Sequence, residues 1–159
     1  MSATLQPLQH ATRQQVFTAL FSFLQGLPPP PGSSSWGLMT QQVLEPSEVP
    51  VANQPALILC RGPQNITQKA PGVSKLHWRC FFLIYFQTDN FKTSNSKYPD
   101  QFTDPVLDSI EQLFQPPMND QYLTLGGVVQ NVWIDGMIAS DPGIVDSQAF
   151  ILVPLSIMV

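Results

Sequence analysis

Charged side chains are scarce in this chain of 159 residues, and their scarcity limits what the protein does. Lys, Arg, Asp and Glu make up 11% of it, whereas an average soluble domain has about 25%. The seven basic residues form no cluster and the net charge is −4, so binding to nucleic-acid phosphates is not expected. Sparse charge with 43% apolar residues indicates surface covered by partners; a neutral surface rich in Gln, Ser, Asn and Thr is the alternative.

Histidine and cysteine are rarer still, so the chemistry that they usually carry is not predicted. Neither His10 nor His77 lies in a motif, and no Cys/His spacing fits a zinc site. No glycine-rich loop precedes a predicted helix, where it would cradle a phosphate. Asp104, Asp108 and Glu111 could bind a cation, but matching to a helix dipole explains them more simply. We therefore predict no enzyme and no cofactor, and interpret His77 as a solvated or interface residue.

Long apolar runs and an export signal are also missing. No apolar run reaches the roughly 18 residues that a membrane span needs, and no basic region followed by an apolar one opens the chain. We expect a soluble protein made in the cytoplasm, with Cys60 and Cys80 as buried free thiols in strands. A disulfide would require those strands to be neighbours in suitable register.

The strongest structural signal is the stretch KLHWRCFFLIYFQT, Lys75 to Thr88. It is rich in aromatic and β-branched residues and contains no Gly or Pro, which predicts a strand. One face is apolar throughout: Trp78, Cys80, Phe82, Ile84 and Phe86. The other turns from polar to apolar: His77, Arg79, Phe81, Leu83 and Tyr85. At about 3.3 Å per residue this strand would overhang its own core, so part of it needs cover from elsewhere.

An amphipathic helix is predicted near the start of the chain. Thr12 to Gln15 fits a capping box, and apolar residues at helical spacing extend to about Gln25, where Gly26 ends the helix. Residues 1–11 before it are interpreted as a loose arm. Residues 27–35 after it, with four prolines, are interpreted as a stiff connector.

A second helix is predicted after a polar loop at Asp89 to Phe102. Asp104 is its expected N-cap, Pro105 occupies the first helical position and Pro116-Pro117 ends it. Asp104, Asp108 and Glu111 are then expected near its N-terminus, which suits the helix dipole.

Four further strands are predicted, with turn residues between them. Arg61-Gly62-Pro63 is expected to close one of them, and Gln64 to Ser74 to form a hairpin loop. Gly126-Gly127 is expected to mark a bulge or a close backbone approach, and Asp135-Gly136 a bulge or a kink. Pro154 is expected to lie in an edge strand or at a bulge. The predicted strands are Trp36 to Leu44, Pro55 to Cys60, Leu123 to Ala139 and Gln148 to Val159.

This order of elements predicts one α+β domain spanning residues 1–159. Consecutive strands are joined by loops that are too short for crossovers, which favours a mainly antiparallel sheet. The two amphipathic helices are then expected on one face of that sheet.

Four segments in this order resemble the tail terminator and tail-completion proteins of long-tailed bacteriophages. The resemblance covers nearly the whole chain, and ValProLeu at 153–155 in the last strand also fits it. The segments are TRQQVFTALF at 12–21, QPALIL at 54–59, the strand ending at Tyr85 with its polar loop and helix, and LTLGGVVQNVWIDG at 123–136.

The resemblance implies a structural virion protein of the phage neck, assembled in the host cytoplasm. Such proteins form a ring, usually six-fold, that caps the tail tube, ends its polymerisation and meets the head connector or head-closure protein. Genomic DNA would pass through the lumen without specific binding, which suits an acidic chain. A ring would also explain the overlong strand and the low charge.

Candidate contact residues follow from this reading. We expect a subunit interface at Phe81, Leu83, Tyr85 and Trp133. We expect contacts to tail or connector proteins at Gln64, Lys69, Lys75, Lys92 and Lys97. The alternatives are a head-closure or other minor tail protein, or a small-ligand-binding α+β domain with a cleft between helix and sheet. The sequence offers that last reading no convergent polar groups.

Overall fold

Two helices and six strands form in the computed structural model, which describes residues 10–42, 44–70, 73–88, 102–143 and 147–159, without the side chains of 46, 66–70 and 73–75. The mixed, mostly antiparallel sheet with its helices confirms the predicted α+β class. The helices are α1 (Arg13–Leu24) and α2 (Asp104–Leu113). The strands are β1 (Leu38–Thr40), β2 (Ala56–Ala70), β3 (Val73–Gln87), β4 (Asn131–Ile134), β5 (Ala139–Asp141) and β6 (Gln148–Met158).

The strands form one sheet in the order β1-β2-β3-β6-β4, and β5 pairs with the same strand, β6, as β4 does. Every pairing is antiparallel except β1 with β2, which is parallel. A parallel pair needs a crossover connection of about a dozen residues, and residues 41–55 between β1 and β2 are long enough to form it. This crossover was not predicted. Of the strand predicted at Trp36 to Leu44, only the three residues of β1 are extended.

Strands β2 and β3 form a hairpin of two 15-residue strands, so the predicted loop at 64–74 is wrong. Arg61-Gly62-Pro63 does not end β2; the register with β3 shifts between Arg61 and Gln64, as at a β-bulge. A Cβ on Gly62 would lie 2.7 Å from the Arg79 carbonyl oxygen, so this close approach requires glycine. Residues 71–72 lie outside the described residues.

An overhang is present, but it lies almost entirely outside the predicted strand Lys75 to Thr88, because β3 starts at Val73 and pairs with the lengthened β2. Strand β6 pairs with β3 only from His77 onward, where His77 lies opposite Met158. Beyond that point, residues 66–70 of β2 and 73–75 of β3 pair only with each other over roughly 17 Å, and we call this segment the hairpin arm.

The two faces of the sheet are covered very differently. Both helices pack on one face, where the predicted apolar residues of β3 are buried in the main core together with apolar residues of β6. The opposite face, which we call the open face, has a small second core of Val49, Ala56, Ile58, Cys60 and Leu83. Val49, from the segment between β1 and β2, is the buried residue of that core that comes from outside the sheet.

Helix α1 begins as predicted. The Gln15 backbone N–H donates to Thr12 Oγ1 at 3.2 Å, and the Thr12 N–H donates to Gln15 Oε1 at 2.8 Å. The capping box is therefore complete and satisfies two backbone groups that the helix leaves free.

Helix α2 differs from its prediction at both ends. It starts at Asp104, so Thr103 and not Asp104 takes the N-cap position. The helix is only ten residues long, and Glu111 lies in its last turn. The helix dipole favours the carboxylate of Asp104 but disfavours that of Glu111. The dipole therefore does not explain why Asp104, Asp108 and Glu111 all lie on this helix.

The predicted strand Leu123 to Ala139 is interrupted. Residues 125–130 form turns, in which Leu125, Gly126 and Gly127 have positive φ. A Cβ on either glycine would meet nothing within 4 Å, so these glycines serve backbone conformation and not close approach.

Pro154 explains the second interruption, between β4 and β5. Ile134 lies opposite Leu155, and Ala139 lies opposite Leu152. The connection from β4 to β5 therefore has two more residues than the facing part of β6, which agrees with the predicted kink at Asp135-Gly136. The Asp135 N–H donates to the Pro154 carbonyl at 3.0 Å, so the proline nitrogen faces the kink, where no ladder bond is needed. Strand β6 is therefore not an edge strand at Pro154, because Phe81 of β3 pairs with it from the other side.

The two cysteines are buried and free, as predicted. Their strands are neighbours, but Cys60 lies opposite Phe81 in the second core while Cys80 lies in the main core, so they occupy opposite faces. Burial, with a smaller contribution from Cys60, raises the pKa of the Cys80 thiol to about 12.

We predict that replacement Thr12→Ala lowers the free energy of unfolding by about 1 kcal/mol, because one helix-start N–H loses its acceptor. Urea denaturation measures the change. Thr12→Ser keeps the hydroxyl and is the matched control. Equal stability of the Ala and Ser variants would contradict the role assigned to the capping box.

We predict a loss of stability in alkali from Cys80. The folded state holds the thiol proton more tightly than the unfolded chain, so the free energy of unfolding falls as the pH rises from about 9 towards 12. Between about pH 8 and about pH 10 the wild type should lose about 1.4 kcal/mol more than Cys80→Ala. Parallel pH dependence of the two proteins would show that Cys80 does not titrate in this way.

Candidate subunit interface on the open sheet face

Half-buried apolar side chains from two adjacent strands meet on the open face. Phe81 lies opposite Pro154, and Tyr85 lies opposite Phe150; all four are partly exposed. The structure therefore brings the predicted interface residues Phe81 and Tyr85 into one patch with two residues of β6. Other segments of the chain cover only part of this sheet face. The uncovered part is a patch on which another molecule could pack.

Leu83 belongs to the same row but has a different environment. It lies opposite Leu152 and is only 8% exposed, within the second core together with Val49 and Ile58. Its side chain thus contributes to folding of the chain itself. Phe81 and Tyr85 are the better probes of an interface.

Trp133 reaches the open face from β4, on the far side of β6. It lies opposite Ser156, and its ring stacks on His77 with 5.7 Å between centroids and 7° between planes. All four predicted interface residues are therefore on one face, but Trp133 is placed at the polar end beside His77.

A polar cluster lies beneath this stack. The Ser156 hydroxyl is fully buried, donates to Asp135 Oδ2 at 2.5 Å and lies 2.9 Å from His77 Nε2. With Ser156 donating to the carboxylate, its oxygen accepts from the imidazole N–H. Sequence reasoning missed this cluster because its three members are far apart in the chain and meet only through strand register.

The cluster contains the residue types of a catalytic triad in the wrong order. In a triad the imidazole lies between the hydroxyl and the carboxylate, whereas here the Ser156 hydroxyl lies between Asp135 and His77. A fully buried hydroxyl cannot approach a substrate. The arrangement fits a buried polar network that fixes the kinked strand and orients His77 under Trp133.

The residues predicted to contact tail or connector proteins are only partly located. Gln64 lies at the root of the hairpin arm, where its Oε1 accepts from Arg13 Nε at 2.5 Å. The backbone of Lys69 and Lys75 runs along the hairpin arm. Lys92 and Lys97 lie outside the described residues.

Aromatic and cationic side chains join α1 to the root of the hairpin. Phe17 and Trp78 stack 6.1 Å apart, with Arg13 5.3 Å from the Trp78 ring and Arg61 4.5 Å from the Phe17 ring. These cation–π contacts anchor the end of the sheet from which the arm projects. The fully buried Trp78 Nε1 has no hydrogen-bond partner among the described residues.

A groove of about 1180 Å³ bears on the ligand-binding alternative. It lies between α1 and the turns before β4, and its lining combines polar side chains, His10 among them, with alanine, glycine and valine. Thr12, Gln14 and Gln15 line one wall and residues 127–130 the other. Within the described ranges, no Asp, Glu, Lys or Arg side chain lines this groove, so little in it would orient a ligand.

The described ranges contain neither a metal-binding cluster nor a membrane-spanning helix. Among those residues, no three His, Cys, Asp or Glu side chains are grouped to hold a metal ion. None of the described helices is long and apolar enough to cross a bilayer. Comparison of the chain with protein-family models and with curated proteins finds no match.

We predict that Ser156→Ala lowers the free energy of unfolding by about 1–3 kcal/mol, since both Asp135 and His77 lose their buried partner. A double-mutant cycle with Asp135→Ala, measured by urea denaturation, tests the network. The double variant should be more stable than the sum of the single losses implies. Simple additivity would show that Ser156 and Asp135 do not act together.

Proposed function

We propose that this chain is a structural virion protein of the phage neck that forms a ring on the end of the tail tube. In that role it stops tube polymerisation and presents a surface to the head connector or head-closure protein. The observation that carries the proposal is the open face, where Phe81, Tyr85 and Trp133 lie partly exposed on a sheet whose other face holds the main core. The resemblance of four chain segments to tail terminator proteins supports the same reading.

A second feature supports assembly and not catalysis. The hairpin arm leaves the core as two strands with no third strand beside them. A projecting two-stranded ribbon is only marginally stable in water, so a neighbouring molecule would stabilise it. Copies joined head to tail through different surfaces close into a ring when the rotation between them allows it.

The partners proposed for this ring are the tail tube protein on one side and the head connector or head-closure protein on the other. DNA would pass through the lumen, where a chain with a net charge of −4 would not hold phosphates. A role in head closure or as another minor tail protein would use the same open face. The two are distinguished by whether the protein stops growth of purified tail tubes.

The groove beside α1 supports the second candidate, a small-ligand-binding domain. Its size is sufficient, but its lining supplies neutral polar groups and no buried charge to set specificity. A small molecule that binds saturably and raises the melting temperature would favour this function over ring formation.

We predict that Phe81→Asp weakens ring formation while leaving the monomer folded, because a carboxylate would be buried in the subunit contact. Native mass spectrometry over a wide concentration range and negative-stain microscopy detect the ring, and circular dichroism checks the fold. Met118→Asp, at a side chain that is 94% exposed and away from the open face, is the matched control. Rings of Phe81→Asp equal to those of the control would remove Phe81 from the interface.

A further inference from the structure

Two arginines lie together on the helix side of the sheet, at the root of the hairpin arm. Arg61 of β2 lies opposite Cys80 of the main core, and its guanidinium carbon is 4.5 Å from the centroid of the Phe17 ring. The guanidinium carbon of Arg13 is 5.3 Å from the Trp78 ring, which stacks on the Phe17 ring at 6.1 Å. The two cations therefore cover one stacked aromatic pair, and we call Arg13 and Arg61 the arginine pair.

The arginine pair is held in place by the chain, but its donors are not used up. Arg13 Nε donates to Gln64 Oε1 at 2.5 Å, and the two terminal NH₂ groups of Arg13 have no partner in the described part of the chain. The Arg61 guanidinium has no hydrogen-bond acceptor there either, and both residues are exposed. A planar guanidinium that already rests on a ring loses little rotamer freedom when it binds a carboxylate.

The neighbouring elements supply no carboxylate to the arginine pair. Residues 1–44 and 49–88, which include α1 and strands β1 to β3, contain no Asp or Glu. Glu45 and Glu48 lie between these two ranges, in a segment whose Leu44 and Val49 pack in the second core on the opposite face of the sheet. The closest parts of the described chain are therefore basic or neutral.

The carboxylates of α2 share the helix side of the sheet, but α2 packs near the far end of α1. Phe114, which follows α2, packs edge to face on Phe23, with 5.4 Å between ring centroids. Phe23 is about 15 Å along the helix from Arg13. No described acidic residue, on α2 or elsewhere, forms an ion pair with the arginine pair.

The place of Arg13 on α1 is unfavourable for the chain by itself. Arg13 is the first residue of the helix, where the helix dipole is positive, and the first turn contains no acidic residue. Arg61 adds a second positive charge on the same aromatic pair. A carboxylate from another molecule would relieve this repulsion, and the planar fork of each guanidinium fits a carboxylate through two N–H groups.

We infer that the arginine pair docks an acidic polypeptide segment of another protein, whose carboxylates bind the free N–H groups of Arg13 and Arg61. Two cations in a chain with a net charge of −4 and no basic cluster would contact too few phosphates to hold a nucleic acid. Arginines supported by buried aromatic rings are typical centres of binding energy in protein interfaces. The surface lies on the helix side, so the inference does not depend on a ring formed through the open face.

Arginine side-chain NMR tests this docking, because the chain has only three arginines and each gives one Nε–Hε resonance. Single replacements by lysine assign the resonances. The probe is an acetylated, amidated ten-residue peptide of alternating Glu and Ser, and its Gln/Ser counterpart is the neutral control. The acidic peptide should shift the Arg13 and Arg61 resonances saturably and leave Arg79, exposed on the open face, unchanged.

Matched variants measure the contribution of the pair to binding. Arg13→Gln with Arg61→Gln should weaken the peptide at least about tenfold, because two charge-assisted contacts are lost. Arg79→Gln, which makes the same kind of charge change on the other face, should bind as the wild type does. Circular dichroism compares the folds, and the resonances of the wild type report binding even where a variant misfolds.

Three results would overturn the inference, and none of them bears on the proposed ring. The first is that the arginine pair does not shift, or shifts no more than Arg79. The second is that a ten-nucleotide oligothymidylate binds the pair more tightly than the peptide, which would make it a phosphate site. The third is that the double Gln variant is less stable than the wild type in low salt and equal to it in high salt. That result would assign the partner carboxylates to this chain itself.

Discussion

Strand β3 is longer than the layer that can cover it, and most of the architecture depends on that one constraint. Its two edges are hydrogen-bonded to β2 and β6, and its helix-side residues form the middle of the main core. Fifteen residues at about 3.3 Å each exceed what two short helices can shield. The excess goes in two directions. The start of β3 leaves the core with β2 as the hairpin arm, and its other face retains only the thin cover around Val49.

Much of this followed from the sequence, because the side-chain alternation of a strand is local information. The sequence predicts the faces of β3 residue by residue, including the change on the second face from polar His77 and Arg79 to apolar Leu83. The capping box at Thr12 was likewise local. Where prediction failed, a distant contact decided. Gly62 and Pro63 were interpreted as a strand end, but close approach of the Arg79 carbonyl makes them a bulge. The parallel pairing of β1 has no local signal at all.

The polar cluster shows the same limit at the candidate site. The side-chain alternation predicts that Phe81, Leu83 and Tyr85 share one face, but the bridge from Asp135 through Ser156 to His77 depends on the register of three strands. A fully buried hydroxyl with two charged or chargeable partners is costly unless every group is satisfied. Its position under Trp133, at the kink opposite Pro154, fits a device that holds the edge of the sheet in one shape.

Scarce charge has a physical consequence for any surface of this chain that another molecule covers. Lys, Arg, Asp and Glu make up only 11% of the residues. Covering such a surface has a low desolvation cost, because few ions lose their water. The arginines at the root of the hairpin arm are divided between the two faces of the sheet: Arg61 lies opposite Cys80 and over the Phe17 ring on the helix side, whereas Arg79 lies opposite Ser156 on the open face. A molecule bound to the open face would therefore meet Arg79 and not Arg61.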